Sequence, residues 1–220
     1  MHSFNEPRLR ADALIFDLDG TLADTFDLIV GAWNASVGKH VGRVFDDAEV
    51  ISRFGIPDDQ MIRRELPGPA ADEALERYHD HYARQHRDVV KPFEGIHELL
   101  SELHRRQVPL GVMTGKGRRS ARVTLDALGW SDTFAAVITG DDVTHQKPHP
   151  DGPLAAASIL NVEPARCAFI GDAPVDIGAG KAAGMITVAA AWHPVYLDEI
   201  RKLAPDLWAP HPADLLPLLP

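Results

Sequence analysis

Two aspartates, Asp17 and Asp19, end the apolar run Ala13-Leu14-Ile15-Phe16 and lead into Gly20-Thr21-Leu22. Four apolar residues closing on a carboxylate read as a buried parallel strand, and open α/β sheets bind their ligands at the carboxyl ends of such strands. Residues two apart on a strand share one side, so the two carboxylates crowd each other unless a cation or a shared proton separates them. A hard, oxygen-seeking ion such as Mg²⁺ would hold one carboxylate ionised and leave the other free to carry a proton. Gly20 allows a tight turn, and Thr21 adds a hydroxyl and a backbone N–H beside the acids. Alone, the pattern describes a turn with a helix cap equally well.

Three further segments have the same form, an apolar strand followed by a polar residue. Val108-Pro109-Leu110-Gly111-Val112-Met113 ends at Thr114-Gly115-Lys116-Gly117, where the Thr114 hydroxyl and the N–H groups of a glycine turn such as that of Gly115 suit phosphate oxygens. Ala136-Val137-Ile138-Thr139 is followed by Lys147-Pro148-His149-Pro150-Asp151, in which a lysine fixed ahead of a proline-rich turn can neutralise an attacking carboxylate and an incoming phosphate. Cys167-Ala168-Phe169-Ile170-Gly171 leads to Asp172 and Asp176, with Pro174 suited to the first turn of a helix. Four residues on that helix separate the two carboxylates by about one turn, a spacing that one metal ion can share.

With DLDGTL at 17–22, Thr114, Lys147 in KPHPD and GDAPVD at 171–176, the chain resembles the haloacid dehalogenase superfamily, in particular its members with an α-helical cap inserted after the first motif. The resemblance implies that Asp17 is a nucleophile forming an aspartyl phosphate. By the same resemblance Asp19 is the acid and base for leaving group and water, and Thr114 and Lys147 hold the phosphoryl group. It further implies Mg²⁺ bound by Asp17, the main-chain carbonyl of Asp19 and Asp172, with Asp176 in direct or supporting contact. Dehalogenases of this fold typically lack the second aspartate. Phosphonate hydrolases typically replace it and add a cap lysine, and between Asp24 and Val90 the chain has only Lys39. The expected reaction is therefore Mg²⁺-dependent hydrolysis of a small phosphorylated metabolite, as in phosphoglycolate phosphatases. A sugar-phosphate mutase, a pyrophosphatase and a non-catalytic phosphate-binding protein remain alternatives.

The elements that must position these groups form an α/β core with an insertion. From about Thr25 to Val90 the chain reads as helices only, with apolar stripes at Phe26, Ile29, Val30, Trp33 and Val37 and at Leu75, Tyr78 and Tyr82 that are read as core of a cap. After Pro92 helix and strand alternate, which implies a Rossmann-like, mostly parallel sheet with helices on both faces. The expected division is 1–23 and 91–220 for the catalytic core and 24–90 for the helical cap. A cap over the site would select the substrate, and Arg53, in the turn Arg53-Phe54-Gly55-Ile56-Pro57, is the expected substrate-binding residue there.

Gly178-Ala179-Gly180 imitates a dinucleotide fingerprint, but the turn after its strand is already occupied by Gly171-Asp172, so these glycines are expected to serve helix packing. His79 and His81, two apart on a helix, diverge and do not suggest zinc. The formal charge of −10 argues against a nucleic-acid partner. The single cysteine cannot form an internal disulfide, nothing before Ala13 resembles a leader, and no apolar stretch reaches the about 20 residues of a membrane span. The cytoplasm is the expected location, and the sequence does not distinguish monomer from dimer.

Overall fold

A computed structural model describes residues 9–220. The first eight residues, part of the segment assigned to the core and of the stretch read as lacking a leader, lie outside the described residues. The chain runs through β1 (Ala13–Phe16), β2 (Ala23–Asp24), and α1 (Phe26–Trp33), which passes through a π-helical turn (Asn34–Gly38) into the short α2 (Lys39–Val41). It continues with α3 (Asp47–Ile51), α4 (Asp58–Glu65), α5 (Gly68–Val89) and β3 (Lys91–Pro92). The remainder alternates: α6 (Ile96–Arg105), β4 (Leu110–Met113), α7 (Arg118–Ala127), β5 (Ala136–Ile138), α8 (Asp151–Leu160), β6 (Cys167–Gly171), α9 (Pro174–Ala182), β7 (Ile186–Ala190), α10 (Leu197–Lys202) and β8 (Leu207–Ala209). A 3₁₀ segment, Pro212–Leu218, follows β8.

Six strands form one parallel sheet in the order β5-β4-β1-β6-β7-β8. β1 lies between β4 and β6, with Ile15 opposite Gly111 on one side and Phe169 on the other. The connections leave β1 in opposite directions, so the crevice for a ligand opens at its carboxyl end. The alternation of side chains along each strand feeds two separate cores. Leu14, Phe16, Val112, Ile170 and Val188 pack under α6, α7 and the carboxyl-terminal segment, whereas Ala13, Ile15 and Phe169 pack under α8 and α9. Helices thus cover both faces, as the alternating sequence requires. Close approach of α9 depends on its glycines: a Cβ on Gly180 would lie 2.8 Å from Thr187 Cγ2, and one on Gly178 would lie 2.8 Å from Pro148 Cβ. Their service is packing, as expected from the sequence.

Between β2 and β3 the chain is helical throughout, and these two strands pair antiparallel, Ala23 with Pro92 and Asp24 with Lys91. Trp33, Val37, Met61, Ile62, Leu75, Tyr78 and Tyr82 make a third core within this insertion. The insertion meets the sheet's helices through α5 and α7. Tyr82 Oη and His86 Nε2 both lie on Thr124 Oγ1, at 2.8 Å and 3.1 Å. His86 Nδ1 has no hydrogen-bond partner. Among the described residues no helix is long and apolar enough to cross a membrane.

Burial lowers the His86 imidazole to about 4, with the Lys116 ammonium pushing in the same direction. The folded chain therefore keeps His86 neutral where the unfolded chain protonates it at about 6.5. The stability that rests on neutral His86 is complete above that value and is lost as pH falls from about 6.5 towards about 4. In urea denaturation at pH 7 and pH 4.5, His86→Leu is expected to show a smaller acid-induced loss of stability than the parent, by at most about 3 kcal/mol. Equal losses in the two proteins would show that His86 does not carry this linkage.

Candidate active site

The strand ends gather the groups singled out in the sequence. Asp17 directly follows β1, and its N–H donates to the Ile170 carbonyl at 2.8 Å, which ties it to β6. The turn beyond it folds back, with Gly20 N–H donating to Ala23 O at 2.9 Å. Gly20 has φ +80°, and a Cβ there would sit 2.2 Å from Asp172 Oδ2, so only glycine lets this turn lie against the acid at the end of β6. Thr21 Oγ1 donates to Asp172 Oδ1 at 2.9 Å. Thr114, at the end of β4, is buried and accepts the Lys116 N–H at 3.1 Å.

Lys147 is buried, with its ammonium 3.0 Å from Asp17 Oδ1 and 2.6 Å from Asp176 Oδ1. Asp176 also accepts the Ala173 N–H at 2.9 Å, which caps the start of α9 with the same carboxylate that holds the lysine. Asp17, Asp172 and Asp176 are all buried, and each offers an oxygen within 4.8 Å of the others. Burial pushes the Asp17 carboxyl up to about 7, against the pull of Lys147 and with the repulsion of Asp176 and Asp19 added. Burial raises Asp172 and Asp176 as well, opposed at Asp172 by the His193 hydrogen bond and at Asp176 by Lys147. Burial would lower the Lys147 ammonium, but Asp17 and Asp176 override it and raise it above the ordinary lysine range. The result is a cation locked between acids that repel one another.

A cavity of about 350 Å³ lies over this floor. It is bounded below by Asp17, Asp19, Thr114, Gly115, Lys147 and Asp172, and elsewhere mainly by apolar side chains of the helical insertion. Of the apolar stripe expected to be cap core, Ile29, Trp33 and Val37 are buried in the insertion's core and Val30 packs against it. Phe26, at the start of α1, lines the cavity instead, and Ile29 reaches both.

Carboxylates beside a locked ammonium, a threonine hydroxyl and a glycine turn, all at strand ends under a helical roof, can bind a tetrahedral anion and offer it a nucleophile. A model of the haloacid dehalogenase-like hydrolase family matches residues 14–190, most of the chain. The chain belongs to this family. A pyrophosphatase PpaX from Oceanobacillus iheyensis is 32% identical to it over 193 residues, covering 88% of this chain and 89% of the relative. Among solved structures, a predicted phosphoglycolate phosphatase from Haemophilus somnus 129pt has a TM-score of 0.84 at 22% identity, over 94% of this chain and 96% of that one. A β-phosphoglucomutase from Clostridium difficile has a TM-score of 0.75 at 26% identity, over 93% of each chain.

Three residues of this haloacid dehalogenase-like hydrolase reach the site without having been assigned to it from the sequence. Lys116 is buried with its ammonium 3.0 Å from Asp19 Oδ2 and 4.9 Å from the Tyr82 ring centroid. Burial works against this charge, but Asp19, Tyr82 and Asp58 raise it above the ordinary range. Asp58, the first residue of α4, is buried, accepts the Tyr78 hydroxyl at 3.2 Å on Oδ1 and has no partner on Oδ2. Burial raises its carboxyl, opposed by Lys116. His193 holds Asp172 Oδ2 at 2.9 Å and packs against the Phe26 ring at 4.7 Å. Asp19 itself accepts the Thr25 hydroxyl at 2.5 Å. Only Lys116 had a local signal, a lysine inside the same glycine turn as Thr114.

Arg53, expected to bind substrate, is placed apart from the cavity wall. Its Nε lies 2.8 Å from Glu65 Oε1, its guanidinium donates to the Glu49 carbonyl, and its carbon sits 5.5 Å and 5.2 Å from the Trp33 and Phe45 ring centroids. The side chain is folded into the insertion and does not line the cavity, although its neighbours Ser52 and Phe54 do. Asp141 and Asp142, between β5 and Lys147, accept the Arg118 N–H and the Thr139 N–H. Lys39, the sole lysine of the insertion, is exposed on α2 and is not part of the cavity wall. Arg53→Ala is expected to leave the ratios of kcat/KM among substrates unchanged while lowering stability by about 1 kcal/mol, read as a small fall in Tm. An altered substrate preference would place Arg53 in the site after all.

Proposed function

We propose that this hydrolase is a Mg²⁺-dependent cytoplasmic phosphatase that cleaves a small phosphorylated metabolite through an aspartyl phosphate on Asp17. The observation that carries the reading is the buried Lys147 ammonium bridging Asp17 and Asp176 at the floor of a cavity. Such a lysine lowers the barrier to the approach of a carboxylate and a phosphate dianion, which would otherwise repel. Mg²⁺ fits the residues present. Asp17, Asp172 and Asp176 are buried with oxygens within 4.8 Å of one another, and the donor set is all hard oxygen. Bound there with the carbonyl of Asp19, the ion supplies positive charge to the transferring phosphoryl oxygens.

The protein's own groups then have separate tasks. Asp17 attacks phosphorus and forms the acyl phosphate. Thr114, the Gly115 turn and Lys147 hold the phosphoryl oxygens. Asp19 protonates the departing oxygen and afterwards takes a proton from the water that cleaves the intermediate, with Lys116 and Thr25 fixing its carboxylate. His193 and Thr21 hold Asp172 in its orientation, and Asp176 holds Lys147. The helices of 24–90 act as a cap that excludes water while the chemistry proceeds. A pyrophosphatase reading is favoured by the Oceanobacillus relative, since phosphate as leaving group makes the same demand on Asp19. It also requires positive charge around the second phosphate.

Phosphate release from a panel of phosphomonoesters is expected to require Mg²⁺, to stop with EDTA and to return when Mg²⁺ is added in excess. Asp17→Asn is expected to lose at least about a thousandfold in kcat while keeping its fold. Undiminished turnover in this variant would refute the mechanism. Labelling by a phosphoryl donor that is retained in place of released, or that returns to substrate, would favour a mutase.

A further inference from the structure

Resting on the phosphatase reading, the remainder of the cavity specifies what the phosphate is attached to. We propose that the leaving group is an uncharged alcohol with an apolar body, so that esters of hydroxy acids and pyrophosphate are poor substrates. The wall away from the strand ends is formed by Phe26 and Ile29 of α1, Ile51, Phe54, Ile56 and Met61. Phe26 and Phe54 stand with ring centroids 5.4 Å apart and tilted by 44°, giving a continuous aromatic surface. Tyr196, Pro174 and Val175 close the opposite side.

The charges in the wall lead to the same conclusion. Among the described lining residues the cations are Lys116 and Lys147, and each has a carboxylate oxygen at 3.0 Å or less. Asp58 adds a further carboxylate to the wall, with one oxygen unpartnered. Arg53, the nearest additional cation in sequence, is turned into the insertion by Glu65 and the Glu49 carbonyl. Mg²⁺ would offset the acids of the floor, where the transferred phosphoryl group sits, and not those of the roof. A carboxylate or second phosphate on the leaving group would therefore meet a mainly apolar wall whose two cations already face acids, which is unfavourable. An alkyl or ring carbon skeleton gains by the same transfer. The cavity volume of about 350 Å³ suits a small metabolite.

The test compares two esters with the same leaving-oxygen chemistry and nearly the same shape, 4-methylpentyl phosphate and the phosphate ester of 4-hydroxybutanoate, alongside phosphoglycolate and pyrophosphate. With Mg²⁺, kcat/KM is expected to be at least about tenfold higher for the uncharged ester, the size of effect that one mismatched group in a pocket produces. Ile56→Arg, which places a free cation in the wall, is expected to shift the ratio towards the carboxylate ester, with its thermal melt reporting that the fold is kept. Equal or greater kcat/KM for the carboxylate ester, phosphoglycolate or pyrophosphate, lost in Asp17→Asn, would overturn the proposed leaving group and leave the phosphatase reading intact. Asp17-independent release, or none from any compound, would overturn both.

Discussion

The site of this hydrolase is arranged around one electrostatic constraint: three carboxylates buried within a few ångströms, two at the ends of adjacent strands and the third in the first turn of α9. Like charges in such a place are tolerated only when cations and hydrogen-bond donors are brought to them from elsewhere in the chain. Lys147 arrives from the loop beyond β5, Thr21 from the turn after β1 and His193 from the end of β7. Each comes from a different connection, so the sheet order is what makes the set possible. With β1 between β4 and β6, the three strand ends that carry Asp17, Thr114 and Asp172 are neighbours.

Much of this was legible in the sequence because buried parallel strands are written as uninterrupted apolar runs, and the residue that ends a run is the one presented to the ligand. Cys167 to Gly171 is such a run, and its strand has those limits. Val108 to Met113 is less sharp: the strand begins only at Leu110, after Pro109, which cannot donate to the ladder. The start of α7 at Arg118 is not written locally either, since the Arg118 N–H is taken by Asp141, a partner 23 residues away.

What escaped the sequence was long-range pairing. Arg53 in a turn between helices looks like a group offered to a substrate, but Glu65 lies one helix further on and claims it. Lys116 looks like a solvated lysine in a glycine turn, and only the packing of α5 over that turn, bringing Tyr82, makes it a buried charge. Asp58 reads as an ordinary first-turn acid, and its burial follows from Tyr78 twenty residues later. In each case the residue type was right for several environments, and the environment was set by an element elsewhere in the chain.

The paired strands β2 and β3 bring the two ends of the helical insertion side by side, Asp24 opposite Lys91. The core sheet therefore encounters the insertion as it would a single loop, whatever number of residues that loop contains. Its six-strand register places no demand on what lies between Thr25 and Val90. A roof of different length could join the same two ends without moving a strand, provided that it still covers the floor as Tyr82 now covers Lys116.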